Sequence, residues 1–78
     1  MAGFFTFDGP ALRELREAKG WRREHLALTL GVSAGAVDHW ESGRRSPSRM
    51  TVIRLAAVLG CHPRDLLAED PLHAGMSA

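Results

Sequence analysis

Seventy-eight residues, 45% hydrophobic and 24% charged, are enough for one small globular domain with a thin core. A single cysteine, Cys61, excludes an internal disulfide framework, and no apolar run approaches the ~20 residues of a membrane helix. The formal net charge of +1 conceals a polarised chain: Lys19, Arg22, Arg23, Arg44, Arg45, Arg49 and Arg54 outnumber Glu24, Asp38 and Glu41 in the middle, while the two ends are acidic.

The chain starts with Met1 to Phe7, which has neither a positive n-region nor a long apolar stretch. It therefore predicts no secretory signal and a cytoplasmic location. Phe4, Phe5 and Phe7 place three aromatics within four residues, ahead of the first helix signal. Two readings stay open. They cover the thin core, or they form a short strand or apolar patch for a second copy or a partner protein. Residues 1–9 read as an apolar arm, 10–68 as the folded domain and 69–78 as a flexible tail that also offers a partner-binding segment.

Five short helices are expected, with no convincing strand pattern after residue 8. Asp8-Gly9-Pro10 opens the first, because proline is tolerated where helical N–H groups have no partner. Leu12, Leu15 and Ala18 lie three apart on its inner face, and Arg13, Glu14, Arg16 and Glu17 lie on the other. Gly20 stops it, and Trp21 is expected to pack back. The second helix runs from about Arg23 to Leu30 with Leu26, Ala27 and Leu30 inward. Gly31 ends it, and Ser33 caps a third helix whose inner positions are Val37 and Trp40. After Gly43 and the loop Arg44-Arg45-Ser46-Pro47, Ser48 caps a fourth helix, Arg49 to Leu59. Val52, Leu55, Ala56 and Leu59 repeat there at the helical period. Gly60 ends it, Cys61 takes a buried apolar position, and Pro63 opens a fifth helix carrying Leu66 and Leu67.

Arg23 to Ser42 forms a unit. Small Ala27 suits a close helix crossing, and Gly31 sits at a sharp turn where a β-carbon would be strained. Val32 plugs the turn. Two short helices joined this way leave the outer face of the second one projecting, slim enough for a major groove.

Several runs carry a resemblance. They are Leu12-Arg13-Glu14-Leu15-Arg16, Leu26-Ala27, Leu30-Gly31-Val32-Ser33, Val37 to Pro47, and Leu55-Ala56-Ala57-Val58-Leu59-Gly60. Together they resemble the Cro/C1-type (XRE) helix-turn-helix family over about Pro10 to Leu67. The resemblance implies an all-α, compact five-helix, lambda-repressor-like domain that binds double-stranded DNA, commonly as a homodimer on an inverted-repeat operator. By position it implies base-edge contacts from Ala34, Gly35, Asp38 and His39. It implies phosphate contacts from Arg22, Arg23, Ser33, Ser42, Arg44 and Arg45. Glu41 matches the family's structural glutamate, and Arg16 is its expected partner.

This chain departs from the family's common pattern. Ala34 and Gly35 stand where Gln or Arg is frequent, and neither has a hydrogen-bonding side chain. Alanine can still touch a thymine methyl, and Asp38 can accept from a cytosine amino group. A phosphate-dominated binder with modest direct readout is therefore expected, acting as a small transcriptional regulator and repressor. The alternatives are the antitoxin of a toxin–antitoxin pair, or a protein-interaction module that has lost DNA binding. No nucleophile–base set, paired carboxylate or phosphate-cradling loop points to an enzyme. His25, His39, His62 and His73 show no ligand spacing with Cys61, so no metal and no cofactor are expected.

Overall fold

The computed structural model describes residues 5–69. Their order is β1 (Phe5–Phe7), α1 (Gly9–Ala18), α2 (Arg23–Leu30), α3 (Ala34–Ser42), α4 (Arg49–Leu59), a 3-10 turn (Pro63–Leu66) and β2 (Leu67–Glu69). No helix among the described residues is long and apolar enough to cross a membrane.

Helix starts follow the expected caps. Asp8 Oδ1 accepts from the Ala11 N–H at 3.0 Å, Ser33 Oγ from Ala36 at 3.1 Å and Ser48 Oγ from Thr51 at 3.2 Å. The α2–α3 turn depends on Gly31, whose φ of +77° lies in the left-handed region. With that residue turned, Gly31 N–H donates to the Leu28 carbonyl at 3.2 Å and Val32 N–H to Ala27 at 3.0 Å. Two orphan carbonyls of α2 are thereby satisfied, and the chain is aimed into α3.

One core joins all the elements. Leu12, Leu26, Val37, Leu55 and Leu66 are fully buried at its centre, with Ala27, Leu30, Trp40, Val52, Ala56 and Leu59 around them. The inward positions expected for α2, α3 and α4 are therefore the buried ones. Arg54 adds a tie that spacing did not announce. Its guanidinium donates to the Leu30 carbonyl at 2.6 Å, bridging α4 to the end of α2.

Three expectations are corrected. The fifth helix is only the four-residue 3-10 turn, which makes four α-helices instead of five. Leu66 is buried as expected, but Leu67 adopts extended backbone (φ −120°, ψ 144°) and enters β2. β2 pairs antiparallel with β1 in the register Phe5↔Glu69, Thr6↔Ala68, Phe7↔Leu67, and Asp8 N–H donates to the Leu66 carbonyl at 2.8 Å. Cross-strand bonding to a distant segment thus outcompetes continuation of a helix only one turn long. The inner face of α1 is likewise not Leu12, Leu15 and Ala18. Ala18 is exposed, Leu15 is half-buried, and Arg16 goes inside with Leu12. Finally, Cys61 is half-buried rather than buried. Its thiol is pushed up from the usual range, by burial first and by Asp65 second.

Phe7 packs half-buried against the core, whereas Phe5 stays 54% exposed. Phe4 and the segment after Glu69 lie outside the described residues.

Candidate nucleic-acid interface

The outer side of α3 is built on a polar network beneath it. Arg16, on α1, is buried yet charged. Its Nε donates to Glu41 Oε2 at 2.7 Å, one terminal nitrogen to Glu41 Oε1 at 3.2 Å, and the other to the Trp21 carbonyl at 2.7 Å. The expected Arg16–Glu41 pair is thus present as a two-pronged contact between α1 and α3. The hydrogen bonds from Arg16 to Glu41 are the main reason its guanidinium titrates above its ordinary range, with the Glu41 charge adding to them and burial opposing.

Arg23, the first residue of α2, joins the same network. Its Nε donates to Glu41 Oε1 at 3.1 Å and sits 3.8 Å from Asp38 Oδ1. The Arg23 side chain keeps 39% of its surface exposed. It ties α2 to α3 as well as facing solvent, a double role that the sequence did not reveal. The signal was available in the spacing of Asp38 and Glu41, which share one helical face.

Above this network the surface is open. Gly35 and Ser33 are exposed, while Asp38 and His39 are half-exposed. Ala34 is turned partly inward and packs against the core. Ser33 Oγ is the cap of α3, and Ser42 donates its hydroxyl to the His39 carbonyl at 3.3 Å. The Ala34 and Gly35 N–H groups, in the first turn, make no hydrogen bond among the described residues and carry the positive end of the helix dipole. A β-carbon built on Gly35 would meet nothing nearer than Ser33 Oγ at 3.8 Å, so the fold does not require glycine there.

Arginines flank the face. Arg22 is the N-cap residue of α2 and makes no capping bond with its side chain. Arg44 and Arg45 follow α3 in a loop held by the Arg45 N–H, which donates to the His39 carbonyl at 3.2 Å. All three side chains are exposed and form no ion pair among the described residues. A shallow groove between α3 and this loop brings Ser33, Gly35, His39, Arg45 and Ser48 onto one surface. Hydrogen-bonding groups, helix-end N–H groups and free guanidinium forks together suit a polyanion with a readable edge. Among the described residues no group of His, Cys, Asp and Glu side chains is arranged to hold a metal ion.

Comparison with known proteins places this geometry. The profile of the family described as Helix-turn-helix matches residues 12–66. An uncharacterized HTH-type transcriptional regulator of Mycobacterium tuberculosis is 39% identical over 67 residues, which is 81% of this chain and 26% of the relative. The chain therefore spans about a quarter of that relative's length. Two solved structures are similar over most of their own length. The restriction-modification controller protein of Aeromonas hydrophila shares 41% identity at a TM-score of 0.70, covering 74% of this chain and 88% of that one. The P22 c2 repressor, solved in complex with a synthetic operator, shares 28% identity at a TM-score of 0.73, covering 78% and 92%.

Proposed function

The chain belongs to the Cro/C1-type (XRE) helix-turn-helix family, a family of transcriptional regulators and not of enzymes, and from that premise we propose that it binds double-stranded DNA in a sequence-selective way. The observation that carries the reading is the exposed face of α3 flanked by Arg22, Arg44 and Arg45, which form no ion pair among the described residues. In this reading α3 enters the major groove with Gly35, Asp38 and His39 at the base edges and Ala34 at the margin. Arg22, Arg44 and Arg45 grip phosphate, helped by Arg23 and by the hydroxyls of Ser33 and Ser42. The protein acts as a repressor and as a homodimer on an inverted repeat. The likeness to a repressor solved in complex with a synthetic operator supports the repressor role.

Selection of bound duplexes from a random library, followed by anisotropy titration of the winner at two salt concentrations, tests the proposal. An inverted repeat with half-sites about 34–36 Å apart is the expected result. Arg44→Ala/Arg45→Ala is expected to weaken binding to all duplexes and to flatten the salt dependence by roughly two in slope. Unchanged affinity and slope would remove these two residues from the interface. A reporter gene carrying the selected site reads the direction of regulation.

A further inference from the structure

The outer face of α3 has few means of reading a base. Ala34 carries a methyl partly turned into the core, and Gly35 carries no side chain. The Ser42 hydroxyl is engaged with its own helix. Asp38 and His39 remain, and only the Asp38 carboxylate accepts without being able to donate.

A free carboxylate at this place would be repelled by phosphate. Asp38 is compensated. Its Oδ1 lies 3.8 Å from Arg23 Nε, Arg23 is held by Glu41 at 3.1 Å, and Glu41 by Arg16 at 2.7 Å. The chain of charges links α3 through α2 to α1 and sets a guanidinium beside the carboxylate. Asp38 keeps 51% of its side chain exposed, and neither carboxylate oxygen makes a hydrogen bond among the described residues. The result is an open acceptor with a cation next to it.

In the major groove, guanine N7 and O6 and thymine O4 are acceptors, and adenine sets its N7 acceptor beside its amino group. Cytosine N4 offers a donor with no acceptor next to it on the same base. Resting on the DNA-binding reading above, we infer that Asp38 is a specificity-determining residue that makes each half-site require cytosine at one position. It accepts from cytosine N4 and rejects guanine and thymine there.

The test is library selection with the wild-type chain, Asp38→Ala and Asp38→Asn, with circular dichroism to show that each variant is folded. The wild type is expected to select cytosine in one column of the half-site. Asp38→Ala is expected to lose roughly tenfold discrimination in that column alone. It is also expected to bind unselected duplex more tightly, because a negative charge has left the surface. Asp38→Asn, which keeps the shape and loses the charge, is expected to lose the cytosine preference too. A cytosine column that persists in both variants overturns the inference while leaving DNA binding intact. So does a wild-type site with no cytosine column. A wild-type chain that binds no duplex at low salt overturns the DNA-binding reading, and this inference with it.

Discussion

Arg16 and Glu41 show how one pair of residues decides the shape of the site. Their side chains are only 7% and 3% exposed, and two hydrogen bonds join them between α1 and α3. Removing Glu41 takes from the buried Arg16 charge its hydrogen-bonded counterion and leaves only Glu17, 3.8 Å away, beside it. Glu41→Ala is therefore expected to lower unfolding free energy by about 3–5 kcal/mol in urea titration. The raised titration of Arg16 sets the sign of its pH effect. A group held protonated more strongly when folded stabilises at every pH below its unfolded value, and that stability fades only as pH rises through the raised one. The Arg16 contribution should thus be constant from neutral to mildly alkaline pH. Gly35 separates stability from function. Its surroundings leave room for a methyl, so Gly35→Ala should raise the melting temperature, by an amount corresponding to roughly 0.5–1 kcal/mol. If backbone approach to the groove matters, the same variant should bind the selected duplex more weakly. A stabilised variant with unchanged affinity would take Gly35 out of the interface.

Among the elements, the contact of α1 with α3 carries the orientation of the proposed reading helix. Gly9 makes it possible, because a β-carbon there would overlap the Trp40 and Glu41 carbonyls at the end of α3. In the sequence Gly9 reads only as part of a helix start. Its packing role is invisible there because Trp40 lies thirty-one positions away. Gly9→Ala must push the two helices apart and is expected to cost about 1–3 kcal/mol, read as a lowered melting temperature. An unshifted melting temperature would mean that α1 can slide without penalty. The caps, turn and inward faces of the α2–α3 unit were legible because those determinants are local, whereas the Arg23 tie to Asp38 and Glu41 was not. Gly31 at the turn, Ser33 at the cap and apolar residues at helical spacing all act within one or two turns of chain.

At the scale of the molecule, β1 and β2 hold the two ends of the described chain together. Residues that the sequence divides between an arm, a domain and a tail pair in one sheet. The pairing splits the aromatics, with Phe7 serving the core and Phe5 remaining outside. Phe7→Ala is expected to lower the melting temperature, and Phe5→Ser to leave it nearly unchanged. If the proposed homodimer uses this surface, Phe5→Ser should also reduce the molar mass measured by light scattering from dimer to monomer. A folded variant that remains dimeric would place the interface elsewhere.

The sequence by itself determined the helix boundaries from Arg23 to Leu59, their caps, the inward stripes of α2 to α4 and the turn between α2 and α3. Each depends on contacts between residues a few positions apart, and backbone conformation with apolar periodicity encodes such contacts directly. Spacing along α1 pointed to Leu12, Leu15 and Ala18, and the pairing of Arg16 with Glu41 came from the family resemblance alone; the tertiary structure turned Arg16 inward, because its carboxylate partner stands on another helix. The same holds for the β1–β2 pairing that replaced a fifth helix, for the close approach at Gly9 and for the Arg23–Asp38 contact. In all four, the deciding partner is distant in the chain and adjacent only after the core has closed.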